Sequence, residues 1–135
     1  MYKYETMVRM QHTDAAGVVF FAGVFVLAHD CYEAFLEGQG MSLGAMLDEG
    51  KYIAPIVHAE ADIRKSMRLS EKITIEMSLV KTGKSSFELA YQFTAESGHA
   101  TARVRTVHAM VDNVTRKSVR IPDSFMKVLN PLRLD

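Results

Sequence analysis

Residues 11–36 read QHTDAAGVVFFAGVFVLAHDCYEAFL, so a turn of small residues runs directly into a long apolar segment. The turn carries one carboxylate, Asp14, and one glycine, Gly17, whose missing side chain permits unusual backbone angles. From Val18 to Leu36 the aromatic and aliphatic residues recur at helical spacing, which predicts one long helix followed by two glycines. The first half of this segment is apolar around much of its circumference, and we therefore expect the helix to be enclosed by other elements.

The remaining residues predict strands around this helix. Polar and apolar residues roughly alternate from Tyr4 to Gln11, which indicates a first strand before the turn. A short helix capped by Ser42 follows the long one, and Gly50 ends it. Period-two alternation then predicts half-buried strands at 57–63, 72–79, 87–95 and 100–112, with a turn at 81–84 and a closing helix at 122–129. This order predicts a single α+β domain over residues 1–135, in which an antiparallel sheet covers the long helix.

The composition excludes several classes of protein. The 135 residues include 16 lysines and arginines against 16 aspartates and glutamates, so the basic excess typical of nucleic-acid-binding proteins is absent. The single cysteine, Cys31, cannot form an internal disulfide, which favours a reducing compartment. The first residues lack the apolar core of a signal peptide, and no apolar run approaches ~18 residues. We therefore expect a cytoplasmic protein that binds neither nucleic acid nor a membrane.

The position of Asp14 suggests chemistry at a helix start. The first turn of a helix has free N–H groups and the positive end of the helix dipole, which together polarise a carbonyl group placed there. A neighbouring carboxylate can attack that carbonyl or activate a water molecule. Aspartate is also common as a helix cap or turn residue, so the residues alone leave a purely structural role for Asp14 open.

The segment from Thr13 to Phe21, the helix after it and the later strands resemble the hotdog-fold acyl-CoA thioesterases of the 4-hydroxybenzoyl-CoA thioesterase type. The pattern D-x-x-G-V-V followed by an aromatic residue is specific only in this context, between a first strand and a long helix. Many members of that family have a glutamate at the position of His29 and a Tyr-His pair in place of the two phenylalanines that end the segment. The chain looks more like the 1,4-dihydroxy-2-naphthoyl-CoA thioesterases of phylloquinone and menaquinone biosynthesis. This likeness rests on Phe21, His29, Tyr32, Glu33 and residues 55–59.

The resemblance implies a hotdog fold that hydrolyses an acyl-CoA thioester. It implies that Asp14 is the catalytic carboxylate, that Gly17 shapes the turn, and that the backbone N–H of Phe21 binds the carbonyl oxygen. Substrate contacts are expected from His29, Glu33, His58, Lys84, Ser85 and Ser86. The first three of these would line the acyl pocket and the last three would bind the coenzyme A end, although solvated or interface roles stay open for each. No metal or other cofactor is expected, and the sites would form between the chains of a homodimer, commonly within a homotetramer.

Other functions remain open from the sequence. The acyl group could be 4-hydroxybenzoyl, a short or branched chain, or the cargo of an acyl carrier protein. The chain could instead bind an acyl-CoA without hydrolysing it, but the intact Asp14 and Gly17 argue against this. A hotdog dehydratase would have a catalytic histidine at the helix entry, where His12 lies, but the surrounding residues resemble the thioesterases. The five histidines show no spacing typical of a metal site.

Overall fold

The computed structural model describes residues 1–134, which form a five-stranded antiparallel sheet, a two-stranded sheet and three α-helices. The strands are β1 (Tyr2–Met7), β2 (Tyr52–Ile53), β3 (Ile56–Ile63), β4 (Lys72–Thr82), β5 (Ser86–Ala95), β6 (Ala100–Ala109) and β7 (Val111–Asp112). The helices are α1 (Phe21–Gly38), α2 (Leu43–Glu49) and α3 (Asp123–Leu129). The large sheet has the order β1-β4-β5-β6-β3, and β2 pairs with β7. The sheet and its long helix confirm the predicted α+β architecture.

The helix α1 is held against the sheet by a continuous apolar core. Its buried positions include Val24, Leu27, Ala28, Cys31 and Leu36, each at most 1% exposed. Alternate residues of β4 and β5 belong to the same core: Ile73, Ile75, Met77, Leu79, Phe87, Leu89, Tyr91 and Phe93. Burying one leucine-sized side chain contributes ~1.5–3 kcal/mol, so the core rather than local helix propensity fixes the position of α1. Among the helices of residues 1–134, none is both long and apolar enough to span a membrane.

The first strand is shorter than the sequence predicts. It ends at Met7 instead of Gln11, because Met10–His12 form a turn of 3₁₀ helix. The short second helix has the predicted cap, since the amide of Ala45 donates to the Ser42 hydroxyl at 3.1 Å. The sequence therefore predicts the helix cap, whereas it does not predict the residue at which the strand ends.

The long helix begins later than the sequence predicts. It starts at Phe21 instead of Val18, because Val18 pairs with Arg68 and Val19 pairs with Thr13 in isolated β-bridges. These valines have the same apolar spacing as a first helical turn, so periodicity cannot separate the two conformations. The consequence is a short hairpin between β1 and α1.

The strand β3 forms an edge of the sheet and is not half-buried as predicted. Seven of its eight residues are exposed, and Ala61 is partly buried. Among residues 1–134 it pairs with β6 alone. Alternation in the sequence marks two chemically different faces, but burial of either face requires a neighbouring layer or strand. Exposed edges of this kind are normally covered in native proteins.

Candidate active site

Asp14 lies in the hairpin that leads into α1. Its amide donates to the carbonyl of Val18 at 3.0 Å, and the amide of Gly17 donates to the Asp14 carbonyl at 3.0 Å. The side chain stabilises the same turn, because Oδ1 accepts from the Ala16 amide at 2.9 Å and from the Val18 amide at 3.4 Å. The other carboxylate oxygen, Oδ2, accepts no hydrogen bond from residues 1–134, and Asp14 is exposed. One oxygen thus orients the carboxylate while the other stays available to react.

The start of α1 has N–H groups without acceptors. Phe20 is the N-cap, with extended backbone (φ −93°, ψ 170°), and no side chain of the described residues caps the helix there. The first amides of a helix have no intrahelical acceptor, and the helix dipole favours negative charge beside them. Phe21 is 70% exposed, and because its ring has no hydrogen-bond donor, only its backbone N–H could stabilise an oxyanion. Thr13 pairs with Val19, the residue immediately before the N-cap, so the hairpin that carries Asp14 leads directly into this helix start.

Gly17 is required by the backbone of the hairpin. Its φ is +75°, in the left-handed region that side chains disfavour, although a Cβ would have no atom within 4 Å. Backbone strain, and not crowding, therefore selects glycine at this position. The Gly17 carbonyl accepts from the Leu69 amide at 2.9 Å, and the Val19 amide donates to the Met67 carbonyl at 2.8 Å. The segment before β4 therefore holds the hairpin in place.

Gly23 brings α1 against the turn that precedes Asp14. A Cβ at Gly23 would lie 2.2 Å from the carbonyl oxygen of His12, far inside van der Waals contact. Glycine is the residue that allows this approach. The sequence does not indicate this role, because a glycine inside a helical pattern normally indicates only weaker helix formation.

His12 packs between the hairpin and α1 and is 3% exposed. Its Nδ1 accepts from the Arg9 amide at 2.9 Å, so Nε2 carries the proton of the neutral ring. Nε2 lies 3.9 Å from Oδ2 of Asp30 on α1 and has no hydrogen-bond partner among the described residues. Burial lowers the pKa of His12 and raises the pKa of Asp30. A buried, neutral imidazole suits a positioning role for the adjoining turn better than proton transfer to a substrate.

A narrow cavity of about 60 Å³ lies between α1 and the strands β3, β5 and β6. Its lining residues are Phe25, His29, Ile56, Ala59, Tyr91 and Thr106. His29 is 37% exposed, and its Nδ1 lies 3.1 Å from Oε1 of Glu33. The predicted substrate residues His29 and Glu33 therefore form a pair on the helix that begins at Phe21, and His29 reaches this cavity.

His58 lies away from the cavity. It pairs with Val107 on β6, whereas the next residue, Ala59, pairs with Thr106 and lines the cavity. Successive residues of a strand point to opposite faces, so His58 lies on the sheet face remote from α1. Its Nε2 is 3.7 Å from Oε1 of Glu60, and both side chains are 53% exposed. Within one chain the structure does not bring His58 together with the hairpin.

Lys84, Ser85 and Ser86 also lie far from Asp14 in the same chain. The strand β4 starts opposite Met7, near the hairpin, and runs 11 residues to the loop that contains Lys84 and Ser85. At about 3.3 Å per residue this strand is roughly 35 Å long. The loop and the hairpin therefore lie at opposite ends of the sheet.

A pocket of about 390 Å³ adjoins the β4–β5 loop. Lys84 and Arg120 both line it, together with Asp123 at the start of α3. The Lys84 carbonyl accepts from the Ile121 amide at 3.0 Å, which holds the segment before α3 against the loop. Two cations at one pocket suit a phosphate-bearing ligand. The sequence does not predict Arg120 at this pocket, because its proximity to Lys84 depends on contacts between distant segments.

The hairpin and the helix start together have the groups needed for acyl transfer. A carboxylate oxygen is available as nucleophile or base, and free backbone N–H groups are available to a developing oxyanion. Within residues 1–134, no three histidine, cysteine, aspartate or glutamate side chains are grouped so that they could hold a metal ion.

Comparisons with known proteins agree with this chemistry. Residues 8–129 match the sequence model of the thioesterase-like superfamily, a range that includes the hairpin and α1. The chain is 32% identical to a 1,4-dihydroxy-2-naphthoyl-CoA hydrolase from Rippkaea orientalis, over 96% of this chain and 95% of the relative. It is 34% identical to a protein of the same name from Nostoc punctiforme, over 99% of this chain and 90% of the relative.

The fold matches a solved structure over nearly its whole length. A 1,4-dihydroxy-2-naphthoyl-CoA thioesterase from Synechocystis superimposes with a TM-score of 0.89 and 26% identity, covering 95% of this chain and 94% of that one. This match confirms the hotdog fold predicted from the resemblance. With the family match over residues 8–129, it establishes that the chain belongs to the thioesterase-like superfamily.

Proposed function

We propose that this protein is an acyl-CoA thioesterase whose substrate is 1,4-dihydroxy-2-naphthoyl-CoA, in phylloquinone or menaquinone biosynthesis. The proposal rests on the Asp14 carboxylate, whose Oδ2 is available and whose hairpin leads directly into the uncapped start of α1. The names of the relatives at 32% and 34% identity support the choice of acyl group. Neither a metal ion nor another cofactor takes part in the proposed reaction, and coenzyme A enters as part of the substrate.

In the proposed reaction the thioester carbonyl oxygen accepts a hydrogen bond from the backbone N–H of Phe21. Negative charge develops on that oxygen in the transition state, where the N–H and the helix dipole stabilise it. Losing one such donor typically raises the barrier by ~3 kcal/mol. The geometry of the helix start therefore matters as much as the carboxylate.

Asp14 can act in either of two ways. As a nucleophile, its oxygen bonds to the carbonyl carbon, the C–S bond breaks, and water then hydrolyses the mixed anhydride and frees Asp14. As a general base, it takes a proton from a water molecule that attacks the carbonyl directly. Both routes consume one water molecule and release the free acid and the thiol of coenzyme A.

The proposed site is completed by a second copy of the chain. The free edge of β3 exposes Ile56, Val57 and Ile63 by 41%, 62% and 44%. Antiparallel pairing of β3 with the same strand of a second copy would cover this edge. It would also reverse the partner's sheet, because the two chains are then related by a two-fold axis.

That arrangement brings the two separated halves of the site together. The start of β3 lies at the same end of the sheet as the β4–β5 loop. The end of β6 contacts both, because the amide of Met110 donates to the Ser85 carbonyl and the amide of Ala109 donates to the Pro55 carbonyl. The loop residues Lys84, Ser85 and Ser86 of one chain, with Arg120, would then bind the coenzyme A phosphates of a substrate held at Asp14 of the other. The working form is a homodimer, or a homotetramer of two such dimers, in the cytoplasm.

The proposal is tested by thioester hydrolysis, followed as release of free thiol, across a panel of substrates. The panel contains 1,4-dihydroxy-2-naphthoyl-, 4-hydroxybenzoyl-, phenylacetyl-, short aliphatic and long aliphatic CoA. We expect the highest kcat/KM for the bicyclic ester. A preference for another ester would reassign the acyl group, and binding without hydrolysis of any ester would make the protein an acyl-CoA-binding member of the family.

A further inference from the structure

A chain of buried polar groups ends at the cavity beside α1. His108 Nδ1 lies 3.3 Å from the Ala54 carbonyl oxygen, and His108 Nε2 lies 3.0 Å from the Thr106 hydroxyl. The Thr106 hydroxyl lies 3.5 Å from the hydroxyl of Tyr91. These three side chains are only 1%, 4% and 2% exposed, yet Thr106 and Tyr91 both line the cavity.

The Ala54 carbonyl determines where the protons of this chain lie. A carbonyl oxygen can only accept, so His108 donates from Nδ1. Burial lowers the pKa of His108 to about 4, so the ring is neutral near pH 7 and its Nε2 is an acceptor. The Thr106 hydroxyl must therefore donate its single proton to Nε2.

The groups that remain at the cavity are acceptors. With its proton committed to His108, the Thr106 oxygen can only accept, and the Tyr91 hydroxyl is the adjacent donor. Once Tyr91 donates to Thr106, lone pairs of both oxygens are left for a ligand. The Thr106 oxygen can therefore pair with a ligand only by accepting a proton that the ligand donates.

The cavity lies along the path expected for an acyl group. At 1.5 Å per residue, Phe25 and His29 lie about 6 Å and about 12 Å along the axis of α1 from Phe21. The walls contributed by Phe25, Ile56 and Ala59 are apolar. A volume of about 60 Å³ admits the substituted edge of a ring and not a whole bicyclic group.

We propose that Thr106 and Tyr91 determine substrate specificity by accepting a hydrogen bond from the ring hydroxyl that lies distal to the thioester. The inference rests on the proposed function, since it requires an aromatic acyl group held at the start of α1. The ligand is therefore a hydroxyaryl thioester whose hydroxyl donates a hydrogen bond to the protein. A substituent of similar size that cannot donate would leave the buried acceptors unpaired and would be rejected.

The test compares three CoA thioesters with the wild-type protein. They are the 1,4-dihydroxy-2-naphthoyl ester, its 1-hydroxy analogue without the distal hydroxyl, and its 4-fluoro-1-hydroxy analogue. We expect kcat/KM to be at least about tenfold higher for the dihydroxy ester than for either analogue. Equal kcat/KM for all three would overturn the inference and leave the thioesterase proposal intact, whereas no hydrolysis of any aromatic ester would refute the thioesterase proposal itself.

Variants then assign the effect to the cavity. Thr106→Val removes the accepting oxygen and should reduce the preference for the distal hydroxyl to less than about threefold, while Thr106→Ser should retain it. Thr101→Val is the matched control, because Thr101 is also buried on β6 but its hydroxyl has no partner among the described residues and it does not line the cavity. An undiminished preference in folded Thr106→Val would overturn the assignment. If thermal unfolding shows that this variant does not fold, the wild-type comparison and Thr106→Ser decide the question.

Discussion

The variant Gly23→Ala adds one methyl group where α1 meets the turn before Asp14. Alanine in a helix interior is normally more stable than glycine by roughly 0.5–1 kcal/mol. Here the new Cβ would lie 2.2 Å from the His12 carbonyl oxygen and 3.0 Å from its carbonyl carbon. Both atoms belong to the backbone, so no side-chain rotation relieves the overlap.

The expected magnitude follows from that distance. Ordinary van der Waals contact begins near 3.4 Å, so the helix and the turn must separate by more than about 1 Å, and overpacking of this kind costs ~1–3 kcal/mol. The Tm should fall by about 4 °C for each kcal/mol lost in a domain of this size. A displacement of about 1 Å at a catalytic group lowers the rate about 10²-fold, so kcat should fall as well because the turn carries Asp14.

Thermal unfolding at a fixed protein concentration and thiol release from 1,4-dihydroxy-2-naphthoyl-CoA measure the two effects. The matched control is Gly38→Ala, also in α1, where a Cβ would have no atom within 4 Å. The control should keep its kcat and have an equal or slightly higher Tm. If Gly23→Ala matched the control in both measurements, the contact between α1 and the turn would have no role in positioning Asp14.

Three further predictions concern buried titratable groups. Burial lowers the pKa of His108 to about 4, so the unfolded chain binds a proton there at a higher pH than the folded protein does. The free energy of unfolding, measured in urea, should therefore fall by up to roughly 3 kcal/mol as the pH drops from 6.5 towards 4. An equal fall in His108→Gln would contradict this. Burial raises the pKa of the Cys31 thiol to about 12, so an aromatic disulfide reagent should label it in urea but not in the native protein, and rapid native labelling would refute the burial. Arg105→Met leaves the carboxylates of Glu60 and Glu88, the second of them only 8% exposed, without their shared ion-pair partner. Its urea midpoint should therefore fall further than that of Arg103→Met, whose guanidinium donates to the neutral amide of Gln92; equal midpoints would count against the ion pairs.

The parts of the site that the sequence predicts are local. Asp14 and Gly17 lie within one turn, and the left-handed backbone at Gly17 is a requirement that the residue type itself reveals. The cap at Ser42 depends likewise on residues three positions apart. Such features follow from the neighbouring residues in the chain, so they are visible without the fold.

The parts that the sequence misses depend on contacts between distant segments. Gly23 is needed because the carbonyl of His12 approaches it, and Val18 leaves the helix because it pairs with Arg68. The donor order at Thr106 depends in the same way on a carbonyl that the fold brings to His108 from another segment. Apolar periodicity carries no information on these pairings.

In the exposed strand β3, alternation of residues indicates the two faces but not their burial. Alternation predicts its two faces correctly, since Ala59 lines the cavity and His58 lies on the opposite face. It cannot predict burial, because β3 has a neighbour on one side only among residues 1–134. The role of His58 in substrate binding therefore stays a prediction.

Catalysis by Asp14 is tested most directly by kcat for the bicyclic ester in Asp14→Asn. The amide oxygen of asparagine can still accept from the Ala16 and Val18 amides, so the hairpin should persist and the Tm should stay within a few degrees of wild type. The amide can act neither as a nucleophile nor as a base, so kcat should fall about 10³-fold. The control is Asp48→Asn, at an exposed carboxylate of α2, which should keep full activity. Turnover within a few-fold of wild type in a folded Asp14→Asn variant would rule out a catalytic role for Asp14.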